Sequence, residues 1–281
     1  MLTVVLARCI FTALPLGIWL RLYAPRHLQV GRKDLAVLFL ISPLAPVASS
    51  LGFMLSVVYL PVATALVVHY TTPMVTAMGS SLMTGERPSV YDLCGALVVA
   101  LGVACSVMRP NWVFDSALSV PGLLWGLAGI LGLAFQTLWG RASVIKGGPT
   151  GIGILFYTHL FGSLWMLPIK TLSTGWGDIP QMTGSQVFLI AVIVLFASLA
   201  GYSTFYAALR YIPAPTVSLL TSGEVPAAVI TTSALTHSWP TLPAIVGCVL
   251  ILSAIALSSW GARRRAMAKA GDLGKEGRPW L

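Results

Sequence analysis

The sequence predicts an all-α bundle of membrane-spanning helices, and three observations support this fold class. Hydrophobic residues make up 57% of the 281 residues and charged residues only 9%, whereas soluble domains carry roughly 25% charged residues. The mean hydropathy is +0.86. Apolar runs recur from the first residue to position 260, and each approaches the ~20 residues that a helix needs to cross a bilayer. A chain with so few charges cannot cover this apolar surface in water, so lipid must surround most of it.

Nine apolar segments are long enough to cross a bilayer, and short connections carrying proline, glycine and charged residues join them. The residues after Trp260 are polar and basic, which predicts a disordered cytoplasmic tail over residues 261–281. The predicted spans are Leu2–Leu22, Leu35–Val58, Ala63–Met83, Val90–Met108, Val120–Gly140, Thr150–Ile169, Gln186–Leu209, Thr216–Leu235 and Leu242–Trp260.

The basic residues indicate how the chain is oriented. Nine spans put the two termini on opposite sides of the membrane. With a cytoplasmic C-terminus, only Arg109 and Lys170 lie outside and Arg8 lies within the first span, which leaves 14 of the 17 Lys and Arg residues inside. Cytoplasmic loops are enriched in Lys and Arg. We therefore predict a multi-pass protein of the inner membrane with its N-terminus outside, and we do not expect a nucleic-acid surface.

The two halves of the chain resemble each other at an offset of 152 residues, without gaps across three helices. Only four spans precede residue 120, because the counterpart of Val120–Gly140 would fall before residue 1. A unit with an odd number of spans reverses its orientation on duplication, so we predict two inverted repeats, residues 1–108 (four helices, incomplete) and 120–260 (five helices). The matched pairs are Phe53 and Phe205, Tyr59 and Tyr211, Pro61 and Pro213, Thr64 and Thr216, Pro88 and Pro240, Ser89 and Thr241, and Gly95 and Gly247.

Several short motifs resemble the EamA-domain family of the drug/metabolite transporter superfamily. Residues 82–89 read LMTGERPS and are similar to the family's LGER stretch, and Tyr59 precedes a helix start rich in Ala and Thr. Glu224, between Gly223 and Val225, resembles the family's intramembrane glutamate, and Arg8 resembles an arginine of its second helix. The resemblance covers the chain up to Trp260. It implies a secondary transporter, in particular an exporter, of small polar metabolites such as amino acids, working by alternating access.

Two features depart from the family pattern. The family has ten helices, with both termini in the cytoplasm, and the first is absent here. That helix would line the central cavity. In the second half, His237-Ser238 replaces the Gly-Glu pair. The alternative function is therefore a membrane protein that does not transport by itself, either a truncated or degenerate paralogue or a subunit that needs a partner.

Glu224 is the most informative candidate residue. An ionisable carboxyl inside a spanning helix is costly, and by default it marks a functional site facing a cavity or a partner. We predict that Glu224 recognises a substrate amine, couples transport to the movement of protons, or does both. The alternative is a protonated or hydrogen-bonded glutamate that only holds helices together.

Polar residues at helical spacing predict the rest of the site. His69 shares a helix face with Thr72, Thr76 and Ser80, and the offset of 152 carries this stripe onto Thr221, Glu224, Ala228 and Thr232. Two such stripes would form the wall of a cavity. The alternatives are that the hydroxyl groups between helices serve only as packing contacts, worth about 0.6 kcal/mol each, and that His69 is a buried core histidine with its hydrogen bonds satisfied. Including Arg8 and His159 from the second helix of each repeat, the predicted substrate-binding or coupling residues are Glu224, His69, Thr72, Thr221, Arg8 and His159.

Arg8 and the two intramembrane prolines each leave two interpretations open. Arg8 either contacts a substrate anion in the cavity or extends to the lipid headgroups, because it lies only a few residues from the outer end of its span. Pro73 and Pro226 lie within predicted spans and could kink them, which makes gating at these points a hypothesis.

Enzymatic chemistry has no support in the sequence. The four cysteines lie in apolar runs without a CxxC pair, and the four histidines are scattered, so we expect neither a metal site nor a cofactor. No Walker loop, HExxH motif or serine elbow occurs. ATP-driven transport and hydrolysis are therefore not predicted.

Overall fold

The computed structural model describes residues 1–113 and 118–275, with the side chains of residue 266 and of residues 268–275 left out. Within these ranges the chain is helical and contains no β-strand, and a short 3₁₀ turn, Pro25–Leu28, joins the first two helices. Residues 276–281 of the predicted tail lie outside the described part. The helices are α1 (Leu2–Tyr23), α2 (Arg32–Ile41), α3 (Ser49–Tyr59), α4 (Val62–His69), α5 (Thr72–Met83), α6 (Val90–Ser106), α7 (Val120–Ile145), α8 (Gly151–Ser173), α9 (Gly184–Val192), α10 (Tyr202–Tyr211), α11 (Ala214–Thr221), α12 (Glu224–Thr236) and α13 (Leu242–Lys275).

The fold class predicted from the sequence, a polytopic membrane helix bundle, is confirmed. Over the described ranges, six helical segments are long and apolar enough to cross a membrane, and the apolar helix Val90–Ser106 is shorter. Two of the six, Arg32–Tyr59 and Gly184–Tyr211, contain a π-helical stretch each, at Pro43–Ala48 and Ile193–Gly201. Two prolines explain the first of these stretches, because proline cannot donate the regular helical hydrogen bond; nothing in the structure explains the second.

The predicted spans Ala63–Met83 and Thr216–Leu235 are each divided into two helices, so the prediction of one helix in each was wrong. α4 and α5 are separated by residues 70–71, and α11 and α12 by residues 222–223. Each break lies just before a proline, Pro73 or Pro226, which has no N–H for the carbonyl four residues earlier. At the first break, the Thr72 hydroxyl donates to the His69 carbonyl at 2.5 Å instead. The prolines therefore interrupt these helices.

The offset of 152 residues also holds for the helix boundaries. The turn residues agree as well, because Gly85 has φ +72° and its counterpart His237 has φ +49°. Glycine adopts this left-handed conformation freely, whereas a histidine does so at some cost. Helices that begin 152 residues apart are α2 and α9, α4 and α11, α5 and α12, and α6 and α13.

Helix α7 shows that the two halves run in opposite directions through the bundle. A Cβ on Gly122, near the start of α7, would lie 2.6 Å from Leu60, in the turn between α3 and α4. Arg141, near the end of α7, donates to the carbonyl of Leu209 at 2.8 Å, just before the turn between α10 and α11. These two turns are equivalent in the repeat, yet they lie at opposite ends of α7.

A stripe of glycines lets α7 pack closely against α3 and against the π-helical stretch Pro43–Ala48 that precedes α3. A Cβ on Gly52 would lie 2.4 Å from the backbone nitrogen of Gly129, and one on Gly132 would lie 2.6 Å from the carbonyl oxygen of Leu44. No side chain fits in such spaces. Small residues therefore allow the helix backbones to touch, as is common in membrane bundles.

We name the two ends of the bundle by their residues. The basic end contains the connections 24–31, 84–89, 146–150 and 212–213, together with α13 beyond Trp260. The open end contains 60–61, 107–113, 174–183 and 237–241. The tail predicted to be disordered is helical as far as Lys275, because residues 263–270, RRRAMAKA, are good helix formers.

The basic end is closed by packing and by two clusters of hydrogen-bonded charges. Leu20, Leu38 and Leu209 are fully buried there. Asp92, also fully buried, accepts hydrogen bonds from Thr216, Ser258 and Arg265 at 3.1, 2.7 and 2.7 Å, and it caps the start of α6 together with Ser89. Glu86 and Arg141 form the second cluster. These contacts join helices of both halves.

Candidate functional site

A cavity of about 960 Å³ lies between the two halves of the bundle. It extends to the open end, where it is lined by Val107, Thr241 and Trp239, a residue that is 92% exposed. The polar residues that line it come from both repeats: Arg8, Ser49, Ser50, His69, Tyr70, Thr72, Ser106, Thr137, Tyr202, Ser218, Thr221, Ser222, Glu224, Thr232, Ser233, Ser238 and Thr241.

Glu224 lies where the two broken helices face each other. It is the first residue of α12, and the hydroxyl of Tyr70, at the break between α4 and α5, donates to its Oε1 atom. The offset of 152 makes Tyr70 the counterpart of Ser222, so a hydrogen bond across the cavity links the two breaks. The start of a helix carries a partial positive charge, which favours a carboxylate at this position.

Ser222 adds an unused polar atom beside Glu224. Its side chain is fully buried within the protein and belongs to the cavity lining. In the described part of the chain its hydroxyl has no hydrogen-bond partner. Because this hydroxyl is closed off from solvent, a bound polar molecule would reach it only after a rearrangement of the break.

His69, Thr72 and Thr221 also line the cavity. The His69 ring lies 4.8 Å from the ring of Phe53 between centroids. The two threonine hydroxyls bond to their own backbone, Thr72 to His69 and Thr221 to Ser218, at 2.5 and 2.7 Å. These threonines shape the break regions, and in this geometry their donor hydrogens are already used.

The predicted stripe below His69 does not continue along the cavity. Thr76 and Ser80 are fully buried. Thr76 donates to Ser218 of α11 at 3.4 Å, and Ser80 bonds to the carbonyls of Ala77 and Glu86. These two residues therefore pack in the closed half of the molecule. Their counterparts in the repeat, Ala228 and Thr232, line the cavity.

Arg8 lies on the cavity wall, and its guanidinium is held by hydroxyl groups. Its three nitrogens donate to Ser198, Ser50 and Tyr202 at 2.8, 3.0 and 3.0 Å. The guanidinium also lies 5.3 Å from the centre of the Tyr202 ring. Because these partners are neutral, the positive charge is oriented but not neutralised by them. Of the two interpretations of Arg8, this geometry favours the cavity over the headgroups.

His159 lies behind the cavity wall and is not part of the lining. It is 1% exposed, its Nδ1 atom lies 2.9 Å from the Leu155 carbonyl, and its ring is 5.8 Å from that of Tyr202. Tyr202, which lines the cavity, lies next to both the His159 ring and the Arg8 guanidinium. Five of the six residues predicted from the sequence thus line one cavity, and His159 supports it from behind.

Sequence reasoning missed Tyr70 and Tyr202, which hold Glu224 and Arg8. Neither tyrosine lies in a motif. Tyr70 lies in the break between α4 and α5, so a prediction that placed a break just before Pro73 could have marked it. The pairing of Tyr202 with Arg8 joins residues 194 positions apart and has no sequence signal.

Comparison with known proteins identifies the family. The EamA-like transporter family matches residues 1–108 and 120–260. This chain belongs to that family. The resemblance inferred from the motifs is therefore confirmed, and the cavity is that of a transporter-family membrane protein.

Two individual proteins illustrate how far the similarity extends. The chain is 26% identical over 238 residues to the "Uncharacterized inner membrane transporter YicL" of Salmonella typhimurium strain LT2, across 85% of this chain and 77% of that protein. A solved crystal structure shares the fold with a TM-score of 0.74 at 17% identity, covering 94% of this chain and 88% of the other. The latter supports the fold alone.

Proposed function

We propose that this transporter-family protein is a secondary transporter of the inner membrane, which exports small polar metabolites such as amino acids by alternating access. One observation carries the proposal: Glu224 and Arg8, of opposite charge, line the same cavity between two inverted halves. The export direction and the amino-acid class follow from the resemblance to the family. The inner-membrane location is supported by the related YicL protein.

The two charges fit a substrate that carries both an amino group and a carboxylate. Glu224 accepts a hydrogen bond from Tyr70, and Arg8 donates to three hydroxyls. Each charge is costly at membrane depth. A zwitterion would pair with both through charge-assisted hydrogen bonds, which are about twice as strong as neutral ones. Its ammonium group would bind at Glu224 and its carboxylate at Arg8.

Proton coupling at Glu224 is the second element of the proposal. A carboxyl that faces a cavity and accepts a hydrogen bond from Tyr70 can bind either a proton or an ammonium group. The two would compete for the same oxygen atoms. Exchange of one for the other at Glu224 would couple the movement of substrate to that of protons.

The cavity and the broken helices fit alternating access. A volume of about 960 Å³ lies within the range of roughly 300–1,000 Å³ for small-molecule sites. Discontinuous helices that meet at the substrate site are common in secondary transporters built from inverted repeats. In the conformation described, the cavity reaches the open end while the basic end is closed.

The experiment is uptake of a panel of radiolabelled amino acids into proteoliposomes, with analogues that test each charge. We expect uptake of at least one amino acid, with a loss of about 10-fold or more when its amino group is acetylated or its carboxylate is amidated, since each change removes one charged contact. Protein-free liposomes serve as the control. Uptake that is equal for the parent compound and both analogues would contradict the proposed recognition.

A second candidate function, a subunit that needs a partner, is favoured by one observation. The first-half surface on which α7 packs includes the buried residues Ser49 and Gly52, whereas the equivalent residues Gly201 and Thr204 are exposed. Gly201 borders the cavity, whereas Thr204 lies on the surface of the described chain, where a partner helix would pack. If the protein is such a subunit, the purified chain will be inactive in the uptake assay, and it will gain activity when a partner membrane helix is co-expressed.

A further inference from the structure

The closed end of the cavity is held by Arg141, which contacts both halves of the bundle. Its Nε atom lies 3.1 Å from each carboxylate oxygen of Glu86, and its Nη2 atom lies 2.5 Å from Oε1. Its Nη1 atom donates to the carbonyls of Leu209 and Arg210 at 2.8 and 3.3 Å. One guanidinium thus links the segment after α5 to the end of α10.

The two linked segments are the ends of the helices that close the basic end. Glu86 lies just beyond α5, and its carbonyl accepts a hydrogen bond from Ser80 at 3.0 Å. Leu209 precedes the turn into α11. α5 and α11 also touch directly, where Thr76 donates to Ser218 at 3.4 Å. Separating α5 from α11 at this end would require Arg141 to release one of its two partners.

The equivalent position at the open end has no such contact. The offset of 152 carries Glu86 onto Ser238 and Ser80 onto Thr232, and both of these line the open cavity. Ser238 shares a hydrogen bond of 2.7 Å with Thr236 of its own segment. The carboxylate that pairs with Arg141 at the closed end is therefore replaced by a neutral serine at the equivalent position of the open end.

We propose that Arg141 and Glu86 form a latch that holds the cavity closed at the basic end and must open in each transport cycle. This inference rests on the proposed alternating-access function. The guanidinium is well suited to the task, because its planar fork binds the carboxylate with two nitrogens and leaves a third for a carbonyl. The end of a helix carries a partial negative charge, which favours the cation at Leu209.

The test is the accessibility of a cysteine at position 218, measured from each side of the membrane. Ser218 is 3% exposed and lines the cavity beside the α5–α11 contact. The four native cysteines are replaced, Ser218→Cys is introduced, and a membrane-impermeant maleimide is added to one side of sealed vesicles of known orientation. The variants are Glu86→Gln and Arg141→Gln, with Asp178→Asn, which alters an ion pair at the open end, as the matched control.

The latch predicts a reciprocal change. In both latch variants, labelling from the basic end should rise about 10-fold and labelling from the open end should fall, because the populations of the two states shift together. Asp178→Asn should label as the parent protein does. Unchanged labelling in both latch variants overturns the proposal. A rise from both sides, which reports a loosened fold, overturns it as well.

This experiment is independent of transport. Labelling requires no substrate, so a reciprocal shift would support the latch even if no metabolite were transported. Thermal unfolding of each variant in detergent identifies any that does not fold, and in that case Arg141→Lys, which keeps the charge but loses the fork, replaces Arg141→Gln. If Arg141→Lys and Glu86→Gln both fold and each is labelled to the same extent as the parent protein, the latch is again overturned.

Discussion

Arg8 is held by three hydroxyl groups on two different helical segments, which fixes the direction of its guanidinium. Such a group is oriented for an anion before the anion arrives. Lysine at this position would keep the charge but could not bond to three separate acceptors while presenting a planar face. The orientation of the charge, and not the charge alone, therefore determines how well a carboxylate binds.

We predict that Arg8→Lys raises the KM for the transported amino acid about 10-fold, equivalent to the loss of one charge-assisted hydrogen bond. The measurement is initial uptake in proteoliposomes over a range of substrate concentrations. Thermal unfolding in detergent should change little, because lysine retains the aliphatic stem. A KM equal to that of the wild type would show that Arg8 does not contact the substrate.

The sequence predicted the charged residues of the cavity more reliably than their partners. Glu224 and Arg8 are conspicuous because charges are rare in apolar segments. Tyr70 is not, because a tyrosine in a membrane helix is common and its role here depends on a helix break. His159 is as conspicuous in sequence as Arg8, yet it lies behind the cavity wall and is not part of the lining. Its direction depends on the rotation of α8, which the sequence pattern does not fix.

At the scale of helices, the prolines and the repeat determine most of the architecture. The offset of 152 predicted equivalent helices, and these helices begin at equivalent residues. The breaks before Pro73 and Pro226 could be anticipated only as kinks, since whether a proline bends or interrupts a helix depends on how neighbouring groups satisfy the freed carbonyl. The π-helical stretch at Ile193–Gly201 contains no proline and could not be predicted.

Lys170, Thr3 and Asp178 form a hydrogen-bonded cluster at the open end, here called the clasp. The clasp predicts that the stability of the fold depends on acid pH. Lys170, fully buried, donates to Thr3 and to Asp178 at 2.6 and 2.8 Å. These hydrogen bonds, from Lys170 first and then Thr3, lower the pKa of Asp178 from 3.8 to about 2. Because its pKa is lower in the folded state, the clasp stabilises the fold above pH 3.8 and loses this effect as the pH falls from 3.8 to about 2.

The measurement for the clasp is the thermal unfolding midpoint in detergent across this pH window. As the pH is lowered, the wild-type midpoint should fall more steeply than that of Asp178→Asn, because asparagine has no negative charge to lose. High salt should reduce the difference, because Asp178 is accessible to solvent and its ion pair is screened. Parallel curves for the two proteins would show that the clasp does not contribute.

At the scale of the whole molecule, charge is distributed unequally between the two ends. The basic end contains Arg26, Lys146 and the run of residues 263–265, and its closing contacts are ionic. The open end contains the Lys170–Asp178 ion pair, and in the conformation described the cavity opens there. The positive charge of the basic end predicts which side of the membrane this end occupies. The cavity, which reaches the open end, then faces the opposite side.

We predict that the basic end is cytoplasmic. A green fluorescent protein fused to the C-terminus should fluoresce, and alkaline phosphatase inserted after Gly175, in an open-end connection, should be active, because each reporter works on one side only. The reverse pattern would contradict the positive-inside assignment and would place the cavity opening in the cytoplasm.

The pH dependence of flux in proteoliposomes is the most direct test of Glu224 as the coupling and recognition group. The wild type, Glu224→Gln and Asp34→Asn, a control at the surface of α2, are compared with the same substrate over a range of pH values. Glu224→Gln should abolish pH-dependent flux, whereas Asp34→Asn should retain it. Flux and pH dependence in Glu224→Gln equal to those of the wild type would contradict the proposed mechanism.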